Sequence, residues 1–287
     1  MKQILIQLDT DALASTFDRI VAVDAGVDEV FSYGGVTPDN VVPLIHGAIF
    51  TRGVKDLPKT AIFVGGSNVQ AAEKVFAKAQ QAFFGSLRVS LMLDPNGSAT
   101  TAAAAVRSAA RHLPLKDLEA LILGGTGPVG QRCAQILAGQ GAKVRVASRS
   151  QERAEATAAF IRNSVDGAQV TPCDCSDDGL AAAVDGVELI ISAGAAGVQF
   201  LKLPEWQEID SLKAIIDLNA VPPLGIEGVE TADSGVTRGN VVCYGAMGIG
   251  ALKMRIHRAA IENLFSSNDQ VLETDAVFSL SQTLTGL

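Results

Sequence analysis

No apolar run in the 287-residue chain approaches the roughly 18–20 residues that a membrane-spanning helix needs, which argues against an integral membrane protein. The opening stretch from Met1 to Asp9 holds an apolar run too short for a signal peptide, and Asp9 and Asp11 interrupt it. Cysteine is scarce. Cys133, Cys173, Cys175 and Cys243 make no disulfide framework in so long a chain, and Cys173 to Cys175 is C-x-C rather than the redox spacing C-x-x-C. Basic charge is short too: 23 Lys and Arg face 31 Asp and Glu, a net of −8, where a general nucleic-acid binder would carry a basic stripe. His46, His112 and His257 lack metal-ligand spacing, so no metal is expected and structural or solvated roles are favoured. The expectation is a soluble cytoplasmic protein with neither nucleic acid nor membrane as partner.

What is present is length for two domains and an uneven distribution of charge. Residues 1–111 carry 10 basic and 10 acidic side chains, residues 112–245 carry 10 and 17, and residues 246–287 carry 3 and 4. The acidic middle follows a stretch rich in breakers, His112-Leu113-Pro114-Leu115-Lys116-Asp117, and a domain boundary is expected there.

Short β-like runs alternate with helical ones throughout, the pattern of an α/β protein with mostly parallel sheets. In the first segment Ile4–Leu8, Ala61–Val64 and Val89–Leu93 read as strands, and Ala12–Val23, Asn68–Phe83 and Ser98–Arg111 as helices. The Ala102–Ala105 run reads as close helix packing. In the second segment six strand candidates begin at Ala120, Lys143, Gln169, Glu188, Ala214 and Val241, a spacing that suits a Rossmann-type doubly wound parallel sheet. Ile249–Phe265 reads as an amphipathic helix, so 246–287 is expected to pack back on the first domain.

The strongest motif is the turn from Gly124 to Gly130, which directly follows a strand and opens a helix. It holds G-x-G-x-x-G at Gly125, Gly127 and Gly130, with Thr126, Pro128 and Val129 between. Glycine there allows a tight turn, close approach of a pyrophosphate and close helix-to-strand packing, while the helix N-terminus holds the anion. The second strand ends in Ser148-Arg149-Ser150, with no acid before Glu152 to take a ribose 2′-hydroxyl. Hydroxyls and one guanidinium suit a 2′-phosphate, so NADP is expected as the preferred cofactor and NAD as a tolerated one. Later turns at Ala193-Gly194, Asn219 and Gly245 end strands of the same sheet and are further cofactor candidates.

With these residues assembled, the chain resembles the methylene-tetrahydromethanopterin dehydrogenases of methylotrophic bacteria over nearly its whole length. The matching stretches are Leu8–Asp11, Val36–Val41, Phe50–Gly53, Ala61–Gly66, Met92–Ser98, Gly125–Gly130, Pro222–Ile226 and Gly245–Gly250. The resemblance implies an N-terminal α/β pterin-binding domain, a cleft between two domains, and a homotrimer or larger homo-oligomer. It also implies oxidation of methylene-tetrahydromethanopterin to the methenyl cation with NAD(P) accepting the hydride. Lys253 matches a lysine of the family and is the candidate catalytic residue, placed to hydrogen-bond a substrate or cofactor oxygen. The chain departs from the family pattern at Pro95 and Ser148.

A methylene carbon between two nitrogens loses hydride because both lone pairs stabilise the cation left behind. The step needs no general base and no metal, only alignment of donor and acceptor at ~3–3.5 Å. Pterin candidates are therefore hydrogen-bonding groups. Asp9, Asp11 and Asp39 either accept from the ring N–H groups or act as caps; Ser98 is either an N-cap or a pterin contact. Thr37, Asn40 and Asn96 lie in the matching stretches, Thr101 follows in the helix entered after Asp94, and Arg52 suits an anionic group on the substrate's tail. Three other readings compete: a methylene-tetrahydrofolate dehydrogenase, which handles the same reacting carbon; a shikimate-type dehydrogenase, which would need a Lys–Asp pair that adjacent Lys55-Asp56 serves poorly; and a non-catalytic NADP-sensing protein.

Overall fold

The computed structural model describes residues 1–285, the side chains of Asp177 and Asp178 apart. In chain order the elements are β1 (Ile4–Asp9), α1 (Thr16–Asp24), β2 (Glu29–Tyr33), α2 (Val41–Phe50), β3 (Thr60–Gly65), α3 (Val69–Gln81), β4 (Ser90–Leu93) and α4 (Ser98–Ala109). There follow β5 (Glu119–Leu123), α5 (Pro128–Gly139), β6 (Lys143–Ser148), α6 (Gln151–Ser164), β7 (Gln169–Asp174), α7 (Asp177–Val184), β8 (Leu189–Ser192) and α8 (Leu203–Gln207). The last are β9 (Ala214–Asp217), β10 (Ser234–Arg238), β11 (Val241–Gly245), α9 (Gly250–Asn263), β12 (Val271–Leu272) and α10 (Thr274–Thr283).

Two compact units result: residues 1–100 together with the stretch from Met254 onward, and Thr101–Lys253. Both divisions fall inside helices, α4 and α9, rather than at residues 112 and 246. Breakers in a sequence mark where a helix ends. The point along a helix at which its neighbours change carries no such mark.

The first unit holds a five-stranded, wholly parallel sheet in the order β12-β4-β3-β1-β2. Its strand order reverses between β1 and β3, where Asp9 stands in register with Gly65. All six residues of β3 are buried, as expected of a central strand covered on both faces. Ile45 and Ile49 of α2 and Val75 and Phe76 of α3 pack with Ile62, Val64 and Leu91 of the sheet in one core. The Ser15 hydroxyl accepts from the Asp18 N–H and caps α1, which starts four residues later than the apolar pattern alone suggests.

The second unit holds seven strands in the order β10-β11-β9-β8-β5-β6-β7. Six are parallel and reproduce the Rossmann order 3-2-1-4-5-6; β10 adds an antiparallel edge. Its strand order reverses between β5 and β8, beside the glycine-rich turn. Trp206, Ile215 and Leu121 anchor one core of this unit, and the indole N–H of Trp206 donates to the Glu227 carbonyl at 2.8 Å. Ala102 to Ala105 of α4 are fully buried.

Candidate functional site

Open parallel sheets bind ligands outside the carboxyl ends of their strands, at the point where strand order reverses. Each unit has such a point, and most of the sequence-derived candidates lie at one or the other.

In the second unit Gly124 leaves β5 with φ +70°, a conformation that favours glycine. A Cβ at position 124 would lie 2.6 Å from the Gly194 Cα, so the turns after β5 and β8 touch backbone to backbone. A Cβ at Gly125 would meet the Val146 Cγ1 at 2.8 Å, and one at Gly130 the Gly124 carbonyl oxygen at 2.6 Å. Gly127 differs: its nearest neighbours would be at 3.4 and 3.6 Å, ordinary contact. Gly127 is the N-cap of α5 and makes no side-chain cap, with Pro128 following it in the first turn. Two glycines of the motif thus close the turn against the fold, and the third leaves the helix N-terminus approachable. That is the cradle a pyrophosphate requires, and these residues fit a dinucleotide.

At the end of β6 the Ser148 hydroxyl is buried, 3.5 Å from the Thr126 hydroxyl, and accepts from the Ser150 N–H at 3.2 Å. Arg149 is exposed beside it. The Ala193 N–H donates to the Leu123 carbonyl, which extends the β5–β8 ladder into the turn. Two candidates are engaged by the fold itself. Asn219 is buried, its Oδ1 accepting from the Val221 N–H at 3.0 Å and its amide donating to the Pro223 carbonyl at 3.2 Å. A Cβ at Gly245 would lie 2.0 Å from the Glu230 carbonyl oxygen, so glycine is required there by the 230–233 loop. Asp217, absent from the sequence-derived candidates, is buried at the end of β9 and accepts from the Asn219 and Ile226 N–H groups at 3.1 and 2.9 Å; burial nonetheless pushes its carboxyl above the usual range.

In the first unit Asp9 ends β1 fully buried. Its two oxygens accept from the Asp11 and Ser15 N–H groups, each at 2.9 Å. Asp11 accepts from the Ser67 N–H at 2.9 Å and the Ser67 hydroxyl at 2.8 Å, pinning the loop after β1 to the loop after β3. Asn40 closes its own turn, accepting from the Thr37 N–H and donating to the Gly35 carbonyl, while Thr37 and Asp39 are exposed. Asn96 is exposed just past β4 in a left-handed conformation, φ 54°. Thr101 on α4 and Lys253 on α9, the two terminal residues of the second unit, are half-buried.

Two expectations are corrected. Ser98 is not an N-cap: it is fully buried and donates its hydroxyl to the Pro95 carbonyl at 2.7 Å. Asp94 does the capping, accepting from the Ala99 and Thr100 N–H groups and from the Thr100 hydroxyl. Arg52 does not join the other candidates. Its guanidinium donates to the Lys59 and Lys2 carbonyls at 2.5 and 3.1 Å, at the amino ends of β3 and β1, the edge of the sheet opposite Asp9 and Asp94.

The histidines find partners that spacing does not reveal. His257 of α9 is fully buried, stacked on Phe63 with centroids 5.7 Å apart, and its Nε2 lies 4.0 Å from the Asp18 carboxylate. His112 pairs with the Tyr244 hydroxyl at 2.8 Å, and His46 lies among Phe50 and Phe84. Among the described residues no three His, Cys, Asp or Glu side chains are grouped to hold a metal ion. Burial pushes the Cys133 thiol up to about 12 and raises those of Cys173 and Cys175, an environment that disfavours thiolate chemistry.

Residues 16–96 match the family model described as methylene-tetrahydromethanopterin dehydrogenase, N-terminal. Along 99% of its length the chain is 43% identical to the bifunctional protein MdtA of Methylorubrum extorquens, 99% of which is covered. The chain belongs to the methylene-tetrahydromethanopterin dehydrogenase family. A second family member from the same organism, the NAD(P)-dependent methylenetetrahydromethanopterin dehydrogenase, is 34% identical over 83% of this chain and 84% of its own. A solved structure of quinate dehydrogenase from Corynebacterium glutamicum aligns over 98% of this chain and 99% of its own, at 15% identity and a TM-score of 0.48.

Proposed function

We propose that the protein transfers a hydride from methylene-tetrahydromethanopterin to a nicotinamide dinucleotide, giving the methenyl cation. The observation that carries this reading is the family relationship along almost the entire chain, and the glycine turn supplies a fitting place for the cofactor. The dinucleotide, when bound, accepts the hydride. The chain's residues bind and orient. Backbone N–H groups at the start of α5 would face the pyrophosphate past Gly127, and Thr126, Ser148 and Arg149 would surround the adenosine ribose. The guanidinium favours NADP over NAD. Pterin recognition falls to the carboxyl edge of the first unit's sheet, where Asp11, Thr37, Asp39, Asn40 and Asn96 border the strand-order reversal or the neighbouring strand ends. Lys253 would hydrogen-bond a substrate or cofactor oxygen and fix orientation, the part of catalysis that positioning supplies. We further propose a cytoplasmic homo-oligomer of three or more copies, a state that sedimentation analysis would measure.

The deciding experiment is a steady-state assay of the purified chain with methylene-tetrahydromethanopterin and methylene-tetrahydrofolate, each with NADP and with NAD. Reduction at 340 nm fastest with the methanopterin and NADP is the expected result. No reduction with any of the four pairs would overturn the reading.

A further inference from the structure

Where β6 and β7 end, a carboxylate lies across the ladder from Ser148, the residue before Arg149. The two strands pair to their last residues, with Ser148 in register with Asp174, and the Cys175 N–H donates to the Ser148 carbonyl at 3.4 Å. Adjacent strands lie about 4.8 Å apart, so Asp174 is within about a Debye length of any group held at the end of β6. We infer that Asp174 is a specificity-determining residue that opposes Arg149 at the 2′-phosphate position and thereby limits the preference for NADP over NAD. The inference rests on the reading that this unit binds a nicotinamide dinucleotide with its adenosine ribose at the end of β6.

Two features support it. First, the Asp174 carboxylate is held in place: one oxygen accepts from the Ser176 N–H at 2.9 Å and the other from the Ser176 hydroxyl. The first turn of α7 closes against it, for a Cβ at Gly179 would lie 2.8 Å from the Asp174 Cβ. Second, those hydrogen bonds stabilise the ionised form, and the side chain is exposed, so the carboxylate keeps its charge. A 2′-phosphate at the end of β6 would gain from the guanidinium and lose to the carboxylate. A 2′-hydroxyl carries no charge and would be indifferent to the second.

The test is titration calorimetry of the full chain with NADP and with NAD, at low salt and at roughly 0.5 M salt, for wild type and Asp174→Asn. The variant keeps an acceptor for Ser176 and removes the charge. NADP should bind roughly three- to tenfold tighter, NAD should change less than about twofold, and the difference should shrink at high salt. Equal changes for both nucleotides would overturn the inference, since Asp174 would then serve the adenine ring or the α7 turn. So would no change for either. If Asp174→Asn folds poorly, Asp174→Ser supplies the same comparison with a hydroxyl acceptor. A wild-type chain that binds neither nucleotide would overturn the cofactor reading and this inference with it, and the wild-type arm alone reveals that.

Discussion

The carbonyl oxygen of Gly124 occupies the space that a side chain at Gly130 would need, 2.6 Å from where its Cβ would stand. Position 127, three residues earlier in the same motif, has no neighbour closer than 3.4 Å. Substitution should therefore separate the two. Gly130→Ala forces backbone against backbone and is expected to cost about 1–3 kcal/mol of stability. Gly127→Ala should leave the urea midpoint nearly unchanged and weaken dinucleotide binding at least roughly tenfold, because the new methyl covers the approach to the helix N-terminus. Denaturation midpoints and cofactor titrations of the two variants check this. A destabilised Gly127→Ala with unaltered binding would contradict it.

Arg149 gives a sharper test of cofactor preference. A charge-assisted hydrogen bond contributes about 1.5–3 kcal/mol, so Arg149→Ala should weaken NADP roughly ten- to hundredfold. NAD lacks the 2′-phosphate and its KM should move little. Equal losses measured for both at fixed ionic strength would assign Arg149 to the pyrophosphate or the fold instead.

Arg52 should behave in the opposite way. Its guanidinium joins the segment before β1 to the segment before β3 through two carbonyls. Arg52→Ala is expected to lower stability by about 1–2 kcal/mol, since the side chain is half-exposed, and to leave kcat/KM for the pterin close to wild type. A large rise in pterin KM at unchanged stability would restore it to the substrate site.

Asp217 carries a pH dependence. Burial raises its folded pKa above the unfolded value of about 3.9, so the folded chain holds that proton to higher pH than the unfolded chain does. The stability this contributes is fully present below the unfolded pKa and is lost as pH rises through the folded one. Urea midpoints of wild type and Asp217→Asn, measured from pH 4 to 7.5, should show wild type losing ground to the variant as pH increases. A constant difference across that range would mean that Asp217 titrates alike in both states.

Much of this architecture is legible in the sequence wherever the deciding chemistry is local. The glycine turn is local: strand, glycines and helix lie within about 20 residues, and Gly125 and Gly130 answer to neighbours in the next strand and the same turn, although Gly124 also answers to distant Gly194. The carboxylates are not. Asp11 is defined by Ser67, 56 residues away in sequence, and nothing near Asp11 indicates that partner. Arg52 looks like an anion binder until the direction of β1 and β3 puts it at their amino ends. Helix α2 escapes the periodic pattern because Val41, Val42, Ile45 and Ile49 are β-branched and Pro43 and Gly47 interrupt the run. Pro43 is tolerated because it falls in the first turn, where no intrahelical N–H is needed. The edge strand β12 has only two residues and is too short to stand out.

The two-residue strand β12 also bears on the order in which the chain acquires its structure. Leu91 donates its N–H to the Gln270 carbonyl, and Ser90 donates its hydroxyl to the Ser267 carbonyl, so β4 stays an open sheet edge until those residues have been synthesised. The second unit is one unbroken stretch, Thr101–Lys253, and requires nothing downstream to complete its sheet. During synthesis the second unit can therefore fold first, while the first unit, whose sheet waits for residues 267–272, is finished later. Through that interval its growing edge offers unpaired backbone groups to any neighbouring chain, which makes the last stretch of the sequence a guard against misassembly as well as a part of the sheet.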